Sequence, residues 1–290
     1  MTDKRLCRRL GIIGTGRVAH ALMLALAPYA DLPPLVWGRS REQAEALARE
    51  AAGAAATDLR AIAEACDLIV IAVADDAVAA MAAGLARDLA PPHAPFVFHV
   101  SGRSGAAILN PLAAAGAQIA AIHPVMTFTG NPRAEIERMA AAHFAVTVSD
   151  PATLPRARAV IERLGGTAVE IAEAQRTLYH AALCHAANHL VTLLAGASQA
   201  LRTAGADAPE AMLAPLVRAA LENSLAHGFS ALSGPLLRGD GDTIARHLAA
   251  IDADCPALGA PYRAMARATL DEMERDGLAA ASPAIRTLLN

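Results

Sequence analysis

Lysine is almost missing from this chain: Lys4 is the only one among 290 residues, and every other strong cation is arginine. A reaction that needs a lysine as general acid or as Schiff-base amine has only Lys4 to draw on. That residue precedes the first expected strand, away from any pocket such a fold would form. Cysteine is sparse too. Cys7, Cys66, Cys184 and Cys255 are scattered with no Cys-x-x-Cys spacing, which argues against a zinc site and a disulfide framework and leaves reduced thiols and no metal as the expectation. Charged residues make up 18% of the chain against 54% hydrophobic, and the formal net charge is −3. That balance argues against disorder and gives no reason to expect nucleic acid as a partner. No apolar run approaches the roughly 18 residues of a membrane span, and the stretch from Met1 to Arg9 holds no signal-peptide core. A cytoplasmic protein without a membrane partner is the expectation.

The most informative segment present is Leu10-Gly11-Ile12-Ile13-Gly14-Thr15-Gly16-Arg17-Val18-Ala19. An apolar run of strand length leads into Gly-x-Gly-x-x-Ala, and the apolar spacing after it predicts a helix. This is the strand, tight turn and helix N-terminus on which a dinucleotide pyrophosphate rests. Gly14 permits the turn, Gly16 keeps side chains away from the phosphates, and Ala19 lets the helix pack on the strand. The free N–H groups of the first turn, borne by residues such as Arg17 and Val18, face the anion together with the positive end of the helix dipole.

About 20 residues past the glycines, where a carboxylate would read the two ribose hydroxyls of NAD, the chain has Gly38-Arg39-Ser40-Arg41 after the strand Leu35-Val36-Trp37. A guanidinium and a hydroxyl in place of a carboxylate suit a 2′-phosphate, so NADP is the expected cofactor. The competing reading makes Arg39 and Arg41 solvated residues of a loop and helix start.

Apolar runs of strand type recur at Gly53–Thr57, Asp67–Val73, Phe96–Val100, Ile119–Ile122, Ala145–Val148 and Ala168–Ile171, with helical segments between them. This alternation predicts an α/β fold, a Rossmann-type doubly wound parallel sheet. Strand signals stop after Ile171, and helical periodicity fills the remainder. The expected domains are 1–171, dinucleotide-binding, and 172–290, all-helical, for substrate binding and dimerisation.

In such sheets ligands lie beyond the carboxyl ends of the strands. Val73-Ala74-Asp75-Asp76, His99-Val100-Ser101-Gly102 and His123-Pro124 stand at those ends. Ser101 would place a hydroxyl beside a nicotinamide. Asp75 reads as a helix cap before it reads as a chemical group, and His123 can equally bond a backbone carbonyl. Farther on, His180, Cys184, Asn188 and Thr192 step by four along one helix face, drifting by about 40° each time. Polar groups on a packing face need partners, which a substrate can supply. His180 is the expected proton donor and Asn188 the expected holder of a carbonyl or carboxylate, whereas His185 and His189 read as surface residues. In the loop Gly234-Pro235-Leu236-Leu237-Arg238-Gly239-Asp240, Arg238 can grip a substrate carboxylate or pair with Asp240, and Asp240 or Asp242 can cap the next helix.

Gly-x-Gly-x-x-Ala, Val73-Ala74-Asp75-Asp76, His99-Val100-Ser101-Gly102, His123-Pro124 with Phe128, Leu178-Tyr179-His180-Ala181-Ala182 with Asn188, and Gly234-Pro235-x-x-Arg238-Gly239-Asp240 together resemble one family. It is a bacterial family of Rossmann-like NAD(P)-binding oxidoreductases with a helical C-terminal domain of unknown function. The first half is also similar to pyrroline-5-carboxylate reductases and to deazaflavin-linked NADP oxidoreductases. The resemblance implies an NADP-dependent reductase, a homodimer formed through the helical domain, and a branched 2-oxo acid such as ketopantoate as substrate. Standard ketopantoate reductases and 3-hydroxyacid dehydrogenases use a helical-domain lysine that this chain lacks, which moves the donor role to His180 or to a water held by Asn188. The expected function is NADPH-dependent reduction of a small carboxylated carbonyl or imine in an interdomain cleft. The alternative is a non-catalytic NADP(H)-binding sensor or scaffold.

Overall fold

The computed structural model describes residues 5–90, 92–278 and 283–290, so Lys4 lies outside the described residues. Strands β1 (Cys7–Ile13), β2 (Ala30–Trp37), β3 (Ala54–Ala55), β4 (Leu68–Ile71), β5 (Phe96–His99), β6 (Gln118–Pro124), β7 (His143–Val148) and β8 (Thr167–Glu170) form one sheet. Its order is β3-β2-β1-β4-β5-β6-β7-β8. The intervening helices are α1 (Arg17–Leu26), α2 (Arg41–Glu50), α3 (Leu59–Ala65), α4 (Val78–Asp88), α5 (Asn110–Ala114), α6 (Pro132–Met139) and α7 (Leu154–Arg163). Then come α8 (Arg176–Thr203), α9 (Pro209–His227), α10 (Gly241–Asp254), α11 (Gly259–Arg275) and α12 (Pro283–Leu288).

The sheet is covered on both faces, which is why its central strands can be apolar throughout. In β4, Val70 enters one hydrophobic cluster with Leu22, Met23 and Phe98, while its neighbours Ile69 and Ile71 enter another with Ile62, Val78 and Leu85. Every strand that the apolar runs predict is present. One pairing departs from the expected parallel order, because β6 and β7 run antiparallel with His123 opposite Ala145. The cause is the segment between them. Asn131 caps α6 by accepting from the Ala134 amide, with Pro132 in the first turn. That short helix packs on α1 and the chain re-enters the sheet at the edge it left, Val125 N–H donating to the His143 carbonyl at 2.9 Å.

The chain divides into two compact units, one ending at Cys184 and the other beginning at His185, so the division falls inside α8. The second unit has its own small core of Ile244, Leu248, Ala266, Leu270, Met273, Ile285 and Leu289 from α10, α11 and the C-terminal turns.

Candidate active site

Beyond the carboxyl ends of β1 and β4 lies a cleft of about 1070 Å³. Gly14, in its lining, leaves no room for a side chain: its φ is +124°, and a Cβ there would stand 2.1 Å from the carbonyl oxygen of Ala72. Gly16 is the N-cap of α1, has extended backbone and carries no capping side chain. A Cβ on it would meet nothing within 4 Å. The unbonded amides of the first turn thus border open space, the geometry in which a helix N-terminus holds an anion.

Thr15, Arg17, Val18, Gly38, Arg39, Ser40, Val73 and Ala74 line this cleft, as do Gln43, Asp76, Val100 and Phe128. Several of these side chains have partners within the protein. Arg17 donates to the Phe128 carbonyl at 3.2 Å, and the Thr15 hydroxyl donates to Gln43 Oε1 at 3.0 Å. Ser40 caps α2 by accepting from the Gln43 amide at 3.3 Å, and Arg41 pairs with Glu45 at 2.8 Å. Arg39 is different: it is exposed and has no hydrogen-bond or ion-pair partner among the described residues. Asp75 and Ser101 stand outside the lining. The Asp75 carboxylate lies 3.3 Å from Arg103 Nε and makes no capping bond to its 3-10 turn. Ser101 is buried and accepts from the Ser104 amide at 3.4 Å.

A second constellation gathers beyond the ends of β5 and β6, one and two strands from β4 and hence roughly 5–10 Å along the sheet. His123 Nδ1 lies 2.7 Å from the Tyr179 hydroxyl oxygen, and the His123 and His180 rings meet edge to face at 6.4 Å. Gly102 fits between the two imidazoles, for a Cβ there would come within 2.7 Å of His180 Cδ2 and 2.9 Å of His123 Nε2. His99 is fully buried beneath them. The Ser101 amide donates to its Nδ1 at 3.1 Å and its Nε2 donates to the Gly105 carbonyl at 2.8 Å, which fixes the neutral tautomer. Burial, reinforced by the Arg176 cation, pushes the His123 pKa down to about 4; for His99 burial is again the main cause and the result is also about 4. Burial pushes the Tyr179 phenol up to about 12. Near neutral pH these groups are uncharged.

Arg176, the first residue of α8, is 1% exposed. Its Nε donates to Thr147 Oγ1 at 2.7 Å and its Nη2 to the carbonyls of Ala121 and Ala145 at 3.1 and 3.0 Å. Thr147 in turn donates to the Ile171 carbonyl. Arg176 therefore clamps the antiparallel β6–β7 joint, and its carbon Cζ lies 5.7 Å from the centroid of the Tyr179 ring.

The structure thus brings Ser101, His123 and His180 of the expected catalytic set to one place. Asn188, Arg238 and Asp240 belong to the second unit. Asn188 is exposed, and its carbonyl accepts from the Thr192 hydroxyl at 3.4 Å. Asp240 is the cap of α10, accepting from the Thr243 amide at 3.0 Å and its hydroxyl at 2.7 Å. Arg238 is exposed and forms no ion pair with Asp240. Sequence reasoning names Tyr179 only within a motif, with no role of its own, and does not name Arg176.

Two family models match the chain, and the boundary between them lies before β7, not at the division inside α8. Residues 2–124 match the Rossmann-like domain family, and residues 142–269 match DUF2520, a domain of unknown function. The chain joins a Rossmann-like domain to a DUF2520 domain. The DUF2520 segment takes in β7, β8 and α8, and so contributes Thr147, Arg176, Tyr179 and His180. None of the curated proteins matches the chain. Among solved structures, a Bacteroides fragilis protein provisionally assigned as an NADP oxidoreductase is 21% identical with a TM-score of 0.72, covering 92% of this chain and 99% of its own. An imine reductase from Myxococcus stipitatus in complex with NADP+ is 19% identical, TM-score 0.68, over 96% and 98%. A reductive aminase from Aspergillus terreus in complex with NADPH and ethyl-5-oxohexanoate is 18% identical, TM-score 0.66, over 97% and 98%. At these identities the likeness is one of fold.

Proposed function

We propose that this protein is an NADPH-dependent reductase of a small carboxylated carbonyl or imine compound, with 2-oxo acids such as ketopantoate favoured. The observation that carries the reading is the uncapped N-terminus of α1, bordered by Gly14 and Gly16 and open to a cleft of dinucleotide size. A pyrophosphate fits there, since the one position where a side chain would intrude is a glycine whose Cβ direction is empty. Arg39, unpaired at the far end of the cleft, is the proposed contact for the 2′-phosphate, with the Ser40 hydroxyl beside it. Val73 and Ala74 border the way towards Ser101, His123 and His180. The bound dihydronicotinamide supplies the hydride. The complexes of the structural neighbours with NADPH and NADP+ support this reading.

A homodimer is part of the proposal. In the second unit apolar side chains stand exposed on two long helices: Val191 at 68% on its part of α8, and Leu216 at 66% and Leu225 at 80% on α9. Isolated exposed leucines need no explanation, but rows of them on adjoining helices mark an association surface. No helix among the described residues is long and apolar enough to cross a membrane, and the four thiols are free, in keeping with the reducing cytoplasm we assign it.

The test pairs thermal shift with each pyridine nucleotide and NADPH oxidation against a panel of 2-oxo acids and cyclic imines. Stabilisation by NADPH together with oxidation of at least one class is the expected result. Binding with no oxidation across the panel would hand the protein to the sensor or scaffold class.

A further inference from the structure

Arg176 is a buried cation with no carboxylate in ion-pair contact among the described residues. Its hydrogen-bond partners there are neutral, namely one hydroxyl and two backbone carbonyls, and its Nη1 is buried with no hydrogen-bond partner among them. No ion pair reaches it among the described residues. Packing does not demand such a charge. A neutral side chain of similar volume would avoid the desolvation that an unpaired guanidinium suffers. Around it stand Tyr179, His123, His180 and His99, with the nearest carboxylates, Asp75 and Glu173, on the loops that face them. Asp75 is neutralised by Arg103, and Glu173 is exposed and accepts from the Ala107 amide at 3.3 Å. The interior of this cluster is therefore biased towards negative charge, with one phenol at its centre.

The two substrate classes left open above differ in that respect. An iminium ion arrives positive, accepts hydride and leaves as a neutral amine, so it needs no proton in that step and is repelled by a buried cation. A ketone arrives neutral and builds negative charge on oxygen, so it needs both a positive field and a proton donor.

Resting on the NADPH-reductase reading, we propose that the site reduces a carbonyl group, that Tyr179 is the proton donor, and that His123 and Arg176 position and polarise it. The hydride carries its electron pair to the carbonyl carbon and the C=O π pair moves to oxygen. The O–H bond of Tyr179 breaks as its proton passes to that oxygen. The phenolate left behind is held by the Arg176 cation and by His123 in its Nδ1–H tautomer, which donates to the phenolate oxygen, until water returns a proton. One NADPH and one proton are consumed for each alcohol formed. Because the phenol is more acidic than an alcohol even when burial has raised its pKa, the transfer runs downhill.

The experiment uses the full-length protein with NADPH. Steady-state rates are compared for a panel of 2-oxo acids, ketopantoate included, and for a permanently charged N-methyl cyclic iminium. The proposal expects kcat/KM for the better ketones to exceed that for the iminium by about a hundredfold or more, the scale of general-acid catalysis. Tyr179→Phe is expected to lose kcat on ketones by a similar factor and to raise their KM about tenfold, while NADPH affinity stays put. A binding readout accompanies it: oxamate, an uncharged-amide analogue of a 2-oxo acid, should bind the wild-type NADP+ complex about tenfold tighter than the Tyr179→Phe complex by calorimetry. Arg176→Lys, which keeps the charge, should retain more activity than Arg176→Met, and a melting curve separates loss of fold from loss of field. Equal or better iminium reduction, or full turnover by Tyr179→Phe, would overturn the proposal, as would NADPH binding with no ketone reduced. Failure to bind NADPH at all would instead overturn the reductase reading beneath it.

Discussion

His123 at the end of β6 and Tyr179 in the first turn of α8 share a hydrogen bond of 2.7 Å, although 56 residues separate them in the chain. The bond joins a neutral imidazole to a neutral phenol, and the neutrality of the imidazole has a consequence for stability. In the unfolded chain both His123 and His99 titrate near 6.5, whereas in the folded protein each is held down to about 4. Between those values the unfolded state binds more protons, so stability rises with pH across this window and is lost as pH falls from 6.5 towards 4. The full effect is roughly 3 kcal/mol for each group. Urea melts at stepped pH check this. His123→Gln should flatten part of the slope, and an unchanged slope in that variant would contradict the assignment.

The two turn glycines should respond in opposite ways. Gly14→Ala places a Cβ 2.1 Å from a backbone oxygen at a positive φ, which costs at least ~1–3 kcal/mol in strain. Gly16→Val directs its side chain into open cleft, so the melting temperature should hold while NADPH affinity falls about tenfold or more, or ~1.4 kcal/mol. Differential scanning fluorimetry and fluorescence titration on both variants read the two effects separately. A Gly16→Val protein that binds NADPH normally would mean the phosphates rest elsewhere.

Two proton donors can be told apart by pH. An imidazole donor of ordinary acidity would lose kcat as pH rises through about 6.5. A Tyr179 phenol held near 12 keeps kcat level from pH 6 to well above 8. The rate profile with a saturating ketone makes the choice, and a fall in kcat with a midpoint near neutrality would exclude Tyr179 as the donor.

Association should depend on the apolar rows of the second unit. Leu216→Asp, at a side chain 66% exposed, should shift the protein from dimer to monomer in light scattering, because a carboxylate in an interface core goes unpaired. A wild-type protein already monomeric at micromolar concentration would remove the dimer from the account.

Much of this was legible in the chain itself, and the reasons differ by element. Residues 68–73 announce β4 because a strand covered on both faces needs no alternation, and Gly14 and Gly16 are local signals of a tight turn into a helix start, read within a few positions. The antiparallel β6–β7 joint was not legible, since Asn131-Pro132 marks a helix start but says nothing of where the chain returns. Nor was the role of Arg176: its partners Thr147, Ala121 and Ala145 lie 29, 55 and 31 residues away, and no local period marks them. His180 draws attention through its stripe with Cys184 and Asn188, whereas its neighbour Tyr179 belongs to no stripe and gains its meaning only from His123.

Calorimetric titration of the full-length protein with NADPH and NADH shows whether the N-terminus of α1 and Arg39 hold the nucleotide. One site per chain with NADPH bound about tenfold or more tighter than NADH, and that preference abolished in Arg39→Ala, is the predicted result. Equal affinity for the two nucleotides, or no heat with either, would contradict it.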